Sequence, residues 1–150
     1  MSERASRYLA FFGVAAVVFV LVVEGLDILA RVQIGGESVT KALSETIHYS
    51  LVQPVGTLFS FAPFAAIAWI CGSLARISRA RAMGLMATCL ILFAFMYYGG
   101  HTDSQRFMHQ RMWTAAALAV GLIPFKSIPI VLVAFGLRFV LGRNRVSAKS

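Results

Sequence analysis

Four apolar runs, at residues 8–23, 51–75, 82–99 and 113–141, leave this chain few folds to choose from. A helix rises about 1.5 Å per residue and needs roughly 20 apolar residues to cross about 30 Å of hydrocarbon, so the runs have the length of membrane spans. A soluble domain of 150 residues could not shelter them, since 59% of the residues are hydrophobic and 13% charged, about half the charge of an ordinary soluble chain. The sequence therefore predicts an all-α integral membrane protein forming a single four-helix membrane domain over residues 1–150. Its spans fall at about 8–30, 51–75, 82–99 and 113–141, the last with a break at 124–129.

The first run follows Arg4 and Arg7 and has the outline of a signal peptide. No small-x-small cleavage site follows it, and Glu24 and Asp27 stand where such a site would lie. An uncleaved signal-anchor is expected.

Charge predicts the threading. An even number of spans puts the amino tail, the 76–81 turn and the carboxyl tail on one side. There Arg4, Arg7, Arg76, Arg79, Arg81, Arg138, Arg143, Arg145 and Lys149 face only Glu3. The other side carries Arg31, Lys41, Arg106 and Arg111 with Glu24, Asp27, Glu37, Glu45 and Asp103. Lys and Arg gather in short cytoplasmic loops, so both termini are expected in the cytosol of a bacterial-type inner membrane. Split among short membrane-hugging segments, this basic charge suits anionic lipid heads and speaks against a nucleic-acid partner. Arg76, Arg79 and Arg81 on one side, and Arg106 and Arg111 on the other, are the candidate lipid or anion contacts. Cys71 and Cys89 lie inside spans with no C-x-x-C spacing and read as small packing residues.

Between the first two spans, Gly35-Gly36 breaks the chain. In "ESVTKALSETIHYSLV", Val39, Leu43, Ile47 and Leu51 recur at near-helical spacing. A short amphipathic helix over about 38–50, lying on the outer membrane surface, is expected. The second span carries Pro54 at its start and Pro63 inside, which predicts a kink and a freed carbonyl that a neighbouring helix or a hydroxyl must satisfy. Gly56/Ser60, Ala68/Gly72 and Ala117/Gly121 are small-xxx-small pairs of the kind that let helices approach closely. Tyr97, Tyr98 and Trp113 fit an outer aromatic belt, and Tyr8 and Trp69 an inner one. The last run would be about 43 Å long as one helix, and "PFKSIP" interrupts it with Pro124, Lys126 and Pro129.

Three constellations could carry chemistry. Glu24, Asp27 and Arg31 are spaced by three and four residues, so Asp27 can pair with Arg31. They form either an interfacial charge cluster closing the helix or a proton or cation site, with Lys126 as a further transport candidate in the broken helix. The stretch "YYGGHTDSQRFMHQRMW" is the third. With His48 it places His101, His109, Asp103, Met108 and Met112 on the outer side, a set of imidazole, thioether and carboxylate that would suit copper; a haem between His48 and His101 is a further alternative. The His-x7-His spacing matches no zinc signature, and no activated serine or cysteine motif accompanies it. The plain reading is a polar turn at the interface after Gly99-Gly100 releases the third helix.

By elimination the sequence predicts a small accessory or interaction protein without catalysis or cofactor of its own: a subunit, an assembly factor or an immunity-type protein whose partner is another membrane protein or a second copy. The alternatives are an oligomeric transporter or ion-conducting protein using Glu24, Asp27 and Lys126, and a metal- or haem-binding protein using the histidines.

Overall fold

In the computed structural model, residues 3–143 are described; Arg145, Lys149 and the side chain of Arg4 lie outside the described residues. The first span is one helical rod with a flaw. α1 (Glu3–Phe19) runs into a single wider turn, Val20–Glu24, and on into α2 (Gly25–Gln33). In the wide turn the Gly25 N–H reaches back five residues to the Val20 carbonyl, which absorbs one residue more than an ordinary turn. Everything downstream is thereby rotated by about 100° relative to an uninterrupted helix. That rotation aligns Asp27 and Ala30 with the buried stripe Ala15, Phe19 and Val22.

α2 stops at Gly35-Gly36. Gly36 takes φ +69°, where a side chain would be strained. Gly35 has no room for one: a Cβ would lie 2.6 Å from the Arg31 carbonyl oxygen and 2.9 Å from Gln105 Oε1. α3 (Val39–Val52) starts at Ser38, whose Oγ accepts the Lys41 N–H at 3.3 Å. Its Val39, Leu43, Ile47 and Leu51 row is exposed, and Ala42 and Thr46 are buried on the other face.

α4 (Pro54–Leu74) begins with proline in its first turn, where the missing N–H is not needed, and continues through Pro63. The Tyr97 hydroxyl donates to the Ser60 carbonyl at 3.3 Å, beside the carbonyl that the proline leaves without its usual donor. α5 (Arg79–His109) starts at Ser78, whose Oγ accepts from the Arg81 N–H. It corrects an expectation: the third helix is not released at Gly99-Gly100, and most of the polar stretch is helix. The turn is only residues 110–112, with Arg111 at φ 58°. Gly100 serves close packing, because a Cβ there would run into Ile123 Cδ1 and approach the Ala119 carbonyl oxygen to 3.0 Å. Beyond it, His101, Thr102 and Gln105 are buried. Tyr97 is likewise no belt residue: it is 1% exposed in the core, while Tyr98 and Trp113 are exposed as the belt requires.

The last run breaks where the prolines demand it, into α6 (Trp113–Gly121), α7 (Ile123–Lys126) and α8 (Ile128–Arg143). Pro124 and Pro129 each stand second in their helix, and the Ser127 hydroxyl donates to the Pro124 carbonyl. Among the described residues four helical segments are long and apolar enough to cross a membrane: Ala5–Gln33, Pro54–Leu74, Arg79–His109 and Ile123–Arg143.

α4 is the centre of the packing, touching α1, α5 and α8, while α2 leans on α3 and α5. Phe64 lies at the middle, with its ring 5.4 Å from Phe19, 4.9 Å from Phe93 and 5.9 Å from Tyr97. Cys71 and Cys89 are free and buried in the same core. Tyr8 lies against Gly72, and Arg81 Nη1 donates to the Leu141 carbonyl at 2.6 Å. The start of α1, the 75–78 turn and the end of α8 thus share one end of the bundle. α3 and the 110–112 turn lie at the other.

Candidate functional site

The polar side chains gather at the α3 end, where four elements meet. The wide turn contributes Glu24; α2 contributes Asp27 and Arg31; α3 contributes Glu45, Thr46 and Ser50; α5 contributes His101 and Gln105. Asp27 is the hub. Its Oδ2 accepts from Arg31 Nε at 2.8 Å and from Thr46 Oγ1 at 3.1 Å, and its Oδ1 lies 3.3 Å from His101 Nδ1. Arg31 turns its Nη1 to Glu45 at 2.9 Å, with Glu37 at 3.9 Å, and its guanidinium lies over the Tyr49 ring at 5.9 Å. Lys41 spans Glu37 and Glu45 at 3.7 and 3.9 Å. The Ser50 hydroxyl donates to Glu24 at 2.8 Å.

His101 is 5% exposed and stacks on Tyr97 at 6.0 Å. A carboxylate at Nδ1 draws the ring proton of a neutral imidazole to that nitrogen and leaves a lone pair on Nε2. Nε2 is buried and has no hydrogen-bond partner among the described residues. A buried polar atom left unsatisfied is costly, so with the imidazole neutral the position favours a group that can donate to it.

His101 lines a cavity of about 390 Å³ between α2, α5 and α6. Glu24, Asp27 and Arg31 form its polar wall; Met108, Trp113 and Val120 form an apolar one. Glu24, Asp27, Glu37 and Glu45 outnumber Arg31 and Lys41, so the cluster carries surplus negative charge. It suits a group that is cationic or donates protons, attached to an apolar body.

Of the predicted site residues, the structure joins Glu24, Asp27 and Arg31 to His101, and Met108 lines the same cavity. Lys126 stands apart. It is exposed and lines a separate cavity of about 510 Å³ with Asp103, between α5 and α6–α7, so the expected set of Glu24, Asp27 and Lys126 is not brought together. The histidines are dispersed too. His48 is exposed on α3, and His109 Nε2 lies 2.8 Å from the Ile34 carbonyl oxygen. Met112 is exposed, and Asp103 faces Arg106 at 3.5 Å on the surface. Among the described residues no group of three or more His, Cys, Asp and Glu side chains is placed to hold a metal ion. Arg76, Arg79, Arg106 and Arg111 are exposed, and Arg81 is half-buried on the Leu141 carbonyl.

Sequence reasoning missed Thr46 and Ser50. The signal was present: Ala42, Thr46 and Ser50 recur every four residues as a small or hydroxyl row beside the apolar one.

No family model, curated protein or solved structure matches this chain. Fold and composition define the class: an all-helical chain whose described residues include four helices long and apolar enough to cross a membrane, as a multi-pass membrane protein requires.

Proposed function

We propose that this chain is a small accessory or interaction protein of a bacterial-type inner membrane, with both termini in the cytosol and no catalysis of its own. The Glu24–Asp27–His101 cavity is the place where it meets its partner. One observation carries this reading: the Nε2 atom of His101 is buried and unpartnered on the wall of a cavity with surplus carboxylate. The excess of arginine at the other end supports the sidedness and would place this cavity on the outer side. The matching group is a lysine or arginine on a partner's membrane helix, its charge among the carboxylates and its apolar stem against Trp113 and Val120. A conducting role is less well supported, since Lys126 opens onto a different cavity.

The test is a photoreactive side chain at Ala117, an exposed residue on the cavity wall, activated in native membranes. A discrete protein adduct is expected, lost in the Glu24→Gln/His101→Phe double variant. Adducts with lipid alone, or a protein adduct indifferent to those substitutions, would refute the reading.

A further inference from the structure

At the other end of the bundle, α1 and α5 both pack on α4 but leave a furrow of about 540 Å³ between them. It is lined from Glu3 to Val14 on α1 and from Arg79 to Leu90 on α5. From its first to its last residue such a stretch of helix rises about 16 Å, close to half of a hydrocarbon core of about 30 Å. The furrow therefore has the length of one leaflet. Phe11, Val14, Met83 and Leu90 make its apolar part, and Arg7 and Arg79 stand at its mouth, toward the end of the bundle.

The mouth is built for an anion. Arg7 gives one N–H to Glu3 at 3.1 Å, yet its Nε is buried with no hydrogen-bond partner among the described residues. Arg79 is exposed, forms no ion pair among the described residues, and is the first residue of α5. The N-terminus of a helix 31 residues long adds its own positive potential there. Glu3 offsets part of this charge but leaves the guanidinium surplus in place.

We infer that this furrow holds one anionic phospholipid, its phosphate at Arg7 and Arg79 and an acyl chain along Phe11, Val14, Met83 and Leu90. A free phosphate would leave the apolar part uncovered, and a zwitterionic lipid would forgo most of the charge. The inference does not depend on the partner proposed for the opposite end.

Native mass spectrometry of the purified full chain, loaded with dioleoyl phosphatidylglycerol or dioleoyl phosphatidylcholine, tests it. The phosphatidylglycerol adduct is expected to survive preferentially. Each basic residue at a membrane surface contributes about fivefold in affinity for anionic lipid, so Arg7→Gln/Arg79→Gln should weaken that adduct about 25-fold and leave phosphatidylcholine unchanged. Arg79→Gln alone, at an exposed position that tolerates change, should weaken it about fivefold. Ala87→Phe fills the furrow and should lower binding of both lipids with the arginines intact. Equal retention of the two lipids by the wild-type chain, or unchanged phosphatidylglycerol binding in both arginine variants, overturns the inference. So does competition by glycerol phosphate as effective as that by the intact lipid.

Discussion

Replacing Arg31 by glutamine should harm this protein more than removing any carboxylate that it binds. The guanidinium is shared by Asp27 at 2.8 Å, Glu45 at 2.9 Å and Glu37 at 3.9 Å. Without it those acids face one another, with Lys41, a 59% exposed side chain, as their cation. Breaking one side of a buried ion pair costs about 3–5 kcal/mol. Arg31 and Asp27 are 17% and 20% exposed and Glu45 is 39% exposed, so partial screening brings the expected loss to about 2–3 kcal/mol. Asp27→Asn removes one charge but leaves the Arg31–Glu45 contact and an amide oxygen for Thr46, and should cost about 1–2 kcal/mol. Thermal unfolding in detergent micelles reads both. At about 2–4 °C per kcal/mol for a chain of this size, Arg31→Gln should lower the midpoint by about 4–12 °C. Lys41→Gln, exposed, should cost under about 1 kcal/mol. An Arg31→Gln loss no larger than that of Asp27→Asn, or matched by Lys41→Gln, would show that the guanidinium does not organise the cluster.

Phe64→Ala empties the middle of the aromatic core and should cost about 3–5 kcal/mol by the same unfolding measurement. Gly72→Ala puts a methyl group 2.6 Å from the Tyr8 ring and should cost about 1–3 kcal/mol, with most of the loss recovered when Tyr8→Ala is added. Deleting Leu21, a residue of the wide turn that is 64% exposed, should restore ordinary helical geometry and change stability by under about 1 kcal/mol. Inserting one alanine after Leu21 should instead swing Asp27 by about a further 100° and cost at least as much as Asp27→Asn.

Spans, breaks and local pairs were legible because each rests on short-range chemistry. Apolar length marks the spans, Pro124 and Pro129 mark the breaks in the last run, and a four-residue spacing is enough to join Asp27 to Arg31. What stayed hidden depends on phase and on distant neighbours. A pattern read at 3.6 residues per turn assumes a regular helix, and the wide turn at Val20–Glu24 resets that phase between Val22 and Asp27. Gly99-Gly100 reads as a stop signal locally, and only the approach of Ile123 and Ala119 to Gly100 turns the pair into a packing device. Once α5 continues past it, His101 faces α2 instead of solvent. The only histidine of the three that the structure buries was therefore the one whose partner the sequence could not show.

One turn along α5 from His101 lies Tyr97, and one further turn lies Phe93; both rings pack on Phe64, which in turn meets Phe19. Aromatic side chains thus occupy the middle of the bundle directly beneath the polar cluster, where an ion leaving Asp27 for the opposite end would have to pass. On its α6 side the cavity is lined by the small residues Ala116 and Ala117 between Trp113 and Val120, and Ala117 is exposed. A charged group brought in from the side by a neighbouring helix can reach Glu24 and His101 without crossing that aromatic layer. On the proposed reading this accounts for a cluster that is rich in carboxylate, seated at one end of the molecule, and walled on one face by tryptophan and valine.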